Sequence, residues 1–324
     1  MPDVDRYVPF PFTLTTQPVL QWLQVCLPIL GTAAALAHAY FYGFALGTIF
    51  FGFCVGAVTA PGITLGFHRL FTHRSFETTR PIRGLFAVLG SMAGQDSLFM
   101  WVFRHREHHQ FADREGDPLT PATERDSAFQ RFQALVRIHF TWTLSNKFTK
   151  DDRRYIVDLA ADPMLCRIQR SYLLWVALGY LIPAAACYAV TPTAQAAIGG
   201  LLWGFARTLV VAQISSLVNS VCHLWGGRAF DLPDHSRNNR AVALITMGEG
   251  WHNNHHAFPT SARHGLGRGE FDMCWMIIRL LERNGLAWNV KTPSSGQIAD
   301  KKREAHFLRE ALRASPRDLS ERHG

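Results

Sequence analysis

Four apolar stretches limit what this 324-residue chain can fold into. They run over about residues 19–40, 45–65, 171–189 and 196–222, and only the last carries a charge, Arg207. Each is close to the roughly 20 residues that an α-helix needs to cross a bilayer. Gly43 separates the first pair and the TPTAQ segment, 191–195, the second, so two hairpins of spans are expected. Charge gives the orientation. The connections around 39–44 and 190–195 hold no Lys or Arg, whereas Gly62–Gln169 and the chain after His223 hold thirty of the thirty-three. The positive-inside rule then puts both termini, and everything between the second and third spans, in the cytoplasm.

The net charge of +8 could by itself mean nucleic acid, anionic lipid or an acidic substrate. No nucleic-acid motif accompanies it, and the arginines sit beside apolar spans, which favours the membrane. The six cysteines are scattered without a CxxC spacing and imply neither a disulfide framework nor a zinc site. The N-terminus shows no basic region followed by a short apolar core, so no cleaved signal peptide is expected. The predicted fold is an all-α integral membrane protein with four transmembrane helices and a cytosolic helical cap. A cytosolic segment occupies 1–18, the main domain 19–290 with its cap from 66–170 and 223–290, and a polar tail 291–324. The tail is charged and weakly apolar, and part of it is expected to be disordered. Phe271–Arg283 is amphipathic and suits either the membrane surface or the cap. Arg207 suits either the outer headgroups, by snorkelling, or a protein cavity.

Eight of the fifteen histidines fall in three short boxes: His68-Arg-Leu-Phe-Thr-His73, His105-Arg-Glu-His108-His109 and His252-Asn-Asn-His255-His256. On a helix, residues three and four apart share a face, so the members of each of the last two boxes are expected to point roughly the same way. Imidazole is a common ligand for transition metals. Eight are too many for one zinc, which takes four ligands, and suit two metals of higher coordination number. The second span runs directly into the first box, so His68 and His73 are expected just above the membrane on a continuing helix. The stretch Gly84–Phe103 is almost long enough to cross, but holds Gln95 and Asp96. If it crossed, the first two boxes would lie on opposite faces of the membrane. It is therefore expected to be interfacial or re-entrant, packed on protein. At the end of the fourth span Asn219 and His223 are four apart and share a face. A histidine and an amide there are costly unless used, which makes His223 a candidate ninth ligand.

The motifs HRLFTH, HREHH and HNNHH, with GITLGFHR before the first, NSVCH before the third and GEGWHNNHHAFP around it, resemble the membrane acyl-CoA (stearoyl-type, Δ9) fatty-acid desaturases. The similarity covers about residues 50–290 and is to a bacterial-type member without a fused cytochrome b5. The resemblance implies four transmembrane helices, a cytosolic cap and two iron ions held by His68, His73, His105, His108, His109, His223, His252, His255 and His256. It implies that Asn219 approaches one iron through a water. It matches Gln95 to a glutamine near the bend of an acyl tunnel and Arg207 to an arginine twelve residues before the asparagine. Asp96, Arg104 and Trp251 join these two as candidate substrate contacts. Two departures stand out. Phe103-Arg104 replaces an Arg-Asp pair before the second box, and Ser216 replaces a tryptophan three residues before the asparagine.

The implied reaction removes two hydrogens from adjacent methylenes of a long-chain acyl thioester, or another acyl lipid, and leaves a cis double bond while O2 goes to water. An unactivated C–H bond is beyond acid–base attack. It needs an oxidant made from O2 at a redox-active metal, which zinc cannot supply. A hydroxylase of the same superfamily is the alternative, with the same irons and oxygen returned to the carbon. A transport or structural metal protein fits less well, because its ligands would line a path across the bilayer rather than gather at one face. The chain has no flavin, haem or nucleotide motif, so electrons are expected from an external donor with its reductase: a ferredoxin, a rubredoxin or a cytochrome b5-like protein. Arg69, Arg74, Arg104, Arg106, Arg114, Arg263 and Arg268 form the expected basic docking face.

Overall fold

The computed structural model describes residues 17–117, 119, 127–145, 148, 149 and 151–303. The expected N-terminal segment, apart from its last two residues, and the end of the tail from 304 lie outside the described residues. In chain order the α-helices are α1 (Gln17–Tyr42), α2 (Leu46–Pro61), α3 (Arg80–Met92), α4 (Leu98–Phe111), α5 (Ala128–Val136), α6 (Trp142–Ser145), α7 (Val157–Ala160), α8 (Pro163–Arg170), α9 (Tyr172–Val190), α10 (Ala194–Leu224), α11 (Arg240–Ile245), α12 (His252–Ala257) and α13 (Met273–Arg283). A π-helical segment, Gly62–Thr72, continues α2, and a shorter one, Arg137–Thr141, joins α5 to α6. Strands β1 (Glu77–Thr78) and β2 (Ala287–Trp288) pair antiparallel. The tail helix covers 295–303.

Among the described residues, four helices are long and apolar enough to cross a membrane: Gln17–Tyr42, Leu46–Thr72, Tyr172–Val190 and Ala194–Leu224. Their outer faces carry exposed Leu23, Leu30, Phe50, Leu174, Leu181 and Ile198. Contiguous apolar surface of this kind marks membrane contact, and the chain is membrane-associated. α1 and α2 form one hairpin, turned at Gly43 with φ +85°, and α9 and α10 form the other. α10 packs against α9, α1 and α2. Small residues permit this closeness, since packing rather than hydrophobicity drives helix association in lipid. A Cβ on Gly200 would lie 2.5 Å from the Pro183 carbonyl oxygen.

The stretch Gly84–Phe103 is not one continuous helix. It belongs to a hairpin of α3 and α4 packed on protein, whose tip, Ala93–Ser97, lies against the middle of α10. Gly94 at that tip takes φ +73°, and a Cβ on it would meet Thr208. Irregular backbone buried against other helices must be satisfied by protein partners. The tip carbonyls of Met92 and Ala93 accept from Arg207 Nη1 at 3.3 and 3.4 Å, and the Gly179 carbonyl accepts from its Nη2 at 3.0 Å. Arg207 is 0% exposed. It neither snorkels to outer headgroups nor enters a cavity, because the Met92, Ala93 and Gly179 carbonyls hold its guanidinium inside the protein.

The cap core gathers Phe67, Phe71, Phe86, Phe99, Phe103 and Leu165 around the π-segment and the α3–α4 hairpin. α13 adds Cys274 and Ile278 to this core and leaves Met276 and Leu280 exposed. One face of α13 therefore packs on the cap, while an apolar stripe of Met273, Met276 and Leu280 stays exposed.

Candidate metal centre

The first box is set by the π-segment. His68 and His73 are five residues apart, which in an α-helix would turn them about 140° from one another. Here the His73 N–H donates to the His68 carbonyl at 3.1 Å, a wider π-type turn. The two rings come to 4.8 Å between centroids. The expected continuing helix is present, but its change of pitch is what lets both imidazoles face one point.

The second and third boxes do not point all their histidines the same way. In the pattern HxxHH the outer two residues differ by about 40° around a helix, and the middle one lies about 100° from the last. α4 therefore sends His105 and His109 to one side and His108 to another. α12 does the reverse. His255 joins His68, His73, His105 and His109, while His252 and His256 join His108 and His223. All nine histidines thus fall into a group of five and a group of four, and each of the two HxxHH boxes contributes to both.

Within the group of five, Nε2 of His255 lies 3.2 Å from that of His68 and 3.0 Å from that of His109, and His109 and His105 are 3.1 Å apart. Within the group of four, His252 and His223 Nε2 are 3.0 Å apart. Imidazoles bound about 2.1 Å from one metal at right angles have nitrogens about 3.0 Å apart. The Nε2 atoms of His73, His108 and His256 are buried without a hydrogen-bond partner. Buried polar atoms left this way call for an explanation, and a cation supplies one. The set of five exceeds the four ligands usual for zinc, and the set of four supplies four imidazoles to a second position.

Carboxylates hold the other face of four of these rings. Nδ1 of His108 meets Asp117 at 2.9 Å, His223 meets Asp113 at 3.1 Å, His256 meets Asp234 at 3.1 Å and His68 meets Glu249 at 2.6 Å. A carboxylate on Nδ1 keeps the proton there, leaves Nε2 free for a metal and makes it more basic. Burial alone would raise the carboxyls of Asp113, Asp117 and Asp234. Their hydrogen bonds and charge interactions with His223, His108 and His256 outweigh it and hold them below the ordinary range. Burial, then the neighbouring imidazoles, pushes His105 and His109 well below the usual histidine value, which keeps them neutral as ligands must be. Sequence reasoning missed these four acids. Asp113 and Asp117 follow the second box by four and eight residues, and Glu249 precedes the third by three. That proximity was the available signal.

A cavity of about 210 Å³ leads from this centre down between α1 and α10. His68, His105 and His252 close its upper end, and Gln95 and Thr208 line it far down α10. Apolar side chains such as Ile63, Leu209 and Ile214 form most of the wall. Asn219 lines it one turn before His223. Of the candidate substrate contacts, Gln95 and Arg104 line the cavity. The other three do not. Asp96 is buried against Arg104 and accepts from the Ser97 N–H, Arg207 serves the hairpin tip, and Trp251 Nε1 donates to the Phe271 carbonyl at 2.8 Å. Each is occupied by a protein partner that its burial requires.

The expected basic docking face is thinner than its arginine count. Arg69 is buried between Glu249 and Asp272, and Arg104 against Asp96. Arg106 binds Asp158 and the carbonyls of Phe71 and Tyr155. Arg74, Arg114 and Arg268 are the exposed members.

Four membrane-length helices, nine histidines in two groups able to hold metal and an apolar cavity beside them define a class, membrane-associated proteins with a histidine-rich candidate metal site. A profile of the family described as fatty acid desaturase matches residues 44–270. The chain is 36% identical over 281 residues to a hex-5-enoyl-[acyl-carrier protein] acetylenase of Moorena producens, covering 85% of this chain and 87% of that protein. It is 38% identical over 287 residues to an icosanoyl-CoA 5-desaturase of Limnanthes douglasii, covering 84% and 72%. It is 39% identical over 247 residues to an sn-1 stearoyl-lipid 9-desaturase of Anabaena variabilis, covering 74% and 80%. The chain belongs to the fatty acid desaturase family. It is an oxygen-dependent oxidoreductase that acts on fatty acyl chains and inserts double bonds.

Proposed function

We propose that the chain inserts a cis double bond, at or near Δ9, into a long-chain acyl thioester at a di-iron centre. The observation that carries this reading is the pair of histidine groups at one end of a mostly apolar cavity. His68, His73, His105, His109 and His255 would hold one iron. His108, His223, His252 and His256 would hold the other, with Asn219 reaching it through a water. When bound, the two irons supply from O2 the oxidant that an unactivated methylene requires. The rest is positioning by the chain itself. The cavity wall fixes an alkyl chain so that one pair of methylenes lies beside the centre, where orientation contributes much of the rate. Gln95 and Thr208 limit how far the chain can pass. Asp113, Asp117, Asp234 and Glu249 hold the ligand rings and fix their tautomers.

The centre and both termini face the cytoplasm in this reading, supported by the distribution of Lys and Arg along the sequence. The unit that does the chemistry spans 19–290. Two electrons per turnover come from a soluble donor such as a ferredoxin, rubredoxin or cytochrome b5-like protein, docked with help from Arg74, Arg114 and Arg268. Expression in a host that lacks unsaturated fatty acids tests the reading. Mass spectrometry of its lipids should find cis monounsaturated chains with the double bond at one position. Hydroxylated chains, or no change, would refute it. Turnover by the purified protein with acyl substrate and O2 but no reductant chain would refute the external donor.

A further inference from the structure

The nine-histidine count leaves one imidazole beside the centre unused. His264 follows the third box, in the connection between α12 and α13, and is 1% exposed. Its ring centroid lies 4.5 Å from that of His255 and 5.4 Å from that of His68. Its Nδ1 is 3.3 Å from Glu249 Oε2, the oxygen that also meets His68 Nδ1 at 2.6 Å. Both of its ring nitrogens are buried without a hydrogen-bond partner, Nδ1 lying only at ion-pair distance from Glu249.

The backbone that presents this ring is pinned from several directions. The His264 N–H donates to Asp272 Oδ2 at 2.7 Å, and its carbonyl accepts from Asn254 Nδ2 at 2.8 Å. Two residues earlier the Ala262 carbonyl accepts from Arg69 Nη1 at 2.7 Å. Arg69, one residue from His68, also binds Glu249 and Asp272. The same fully buried guanidinium therefore ties the first box to the connection that carries His264. A polar ring with an unpaired nitrogen is unfavourable in such a place, and an apolar side chain would fill the space without that cost.

We propose that His264 is a tenth histidine of the centre, a positioning residue that acts on the five-histidine position alone. It shares Glu249 with His68 and backs the ring of His255, so it sets two ligands that come from different boxes and different elements. At the four-histidine position, His108, His223 and His256 each have an aspartate of their own. The inference rests on reading the two groups as two metal positions.

Titration of Co2+ into the metal-free, full-length protein tests it, with ligand-field absorption as the readout. The wild type should take two equivalents with two distinguishable spectra, and His73→Ala identifies the five-histidine one by its loss. His264→Phe keeps the bulk against His255 and loses the contact with Glu249. It should weaken that one equivalent 10- to 100-fold and displace its bands, with the other unchanged. His264→Gln, able to hydrogen-bond Glu249, should recover most of the affinity. Unchanged binding at both positions in His264→Phe, equal loss at both, or no recovery in His264→Gln would overturn the proposal. A wild type that takes up a single equivalent would overturn the two-position reading itself and this proposal with it, an outcome separable from any seen only in the His264 variants.

Discussion

The group of five and the group of four use the same imidazole but are supported in opposite ways. In the group of four, three rings each lean on their own aspartate: Asp117, Asp113 and Asp234. In the group of five, among the described residues, His68 is the member whose ring meets a carboxylate, and that carboxylate is shared with Arg69 and His264. One position is held by fewer rings with more negative charge behind them. The other is held by more rings around a cross-linked network that also contains a buried cation. A carboxylate behind a ligand raises its basicity, so on the proposed reading the four-histidine position would gain metal affinity from charge and the five-histidine position from ligand number. The comparison teaches that two adjacent histidine groups can be supported differently even when the ring type is identical.

The largest expected effect breaks one position at a time. His255→Ala and His252→Ala should each lower turnover on the order of 10³-fold or more, and the double variant should cost little beyond either alone, because the two positions act as a unit. Metal analysis should nevertheless separate them, with each single variant retaining about one equivalent. Loss of both metals from either variant would mean that the positions are not independent.

Next in size are the supporting acids. Asp234→Asn should weaken metal at the four-histidine position about 10- to 100-fold, measured by the rate of release to a chelator, with little change in thermal stability. Glu249→Gln should weaken the other position by a similar factor. It should also destabilise the fold by about 3–5 kcal/mol, because it strips Arg69 of part of its buried pairing. Equal melting temperatures for these two variants would contradict the difference in support.

Asn219→Ala sharpens the comparison from the side of the four-histidine position. It should keep both metals and lower turnover about 10-fold or more, as loss of a water-mediated partner does. Loss of one equivalent of metal would instead make Asn219 a direct ligand. The smallest effect is on the wall common to both positions. Thr208→Phe, far down the cavity, should shift the preferred acyl chain toward shorter lengths and cost about 1–3 kcal/mol from overpacking. Unchanged chain selectivity, read from product chain lengths, would count against this end of the cavity as the stop.

The spans, their two hairpins and the identity of the nine histidines are legible in the amino-acid sequence alone. Long uncharged runs and dense His spacing are local properties, and each has few alternative explanations. What the sequence could have shown, but a coarse helical reading did not, is how the boxes divide. In HxxHH the helical angle alone separates the middle histidine from the outer pair. For His68 and His73, five apart, the pattern even argued against a shared face in an α-helix. Only the π-turn restores one, and it depends on how the segment packs.

The amino-acid sequence by itself determined that this chain must enter a membrane and must gather histidines, because apolar length and ligand chemistry are set residue by residue. Tertiary structure decided which histidine belongs to which position. It also decided that Arg207 and Asp96 hold the α3–α4 hairpin rather than touch the cavity, and that Asp113, Asp117, Asp234, Glu249 and His264 lie against the two histidine groups. The physical reason is that a buried charge or polar group takes its role from the partners that satisfy it. For Arg207 those partners are 28 and more than a hundred residues away in the chain, beyond the reach of any local pattern.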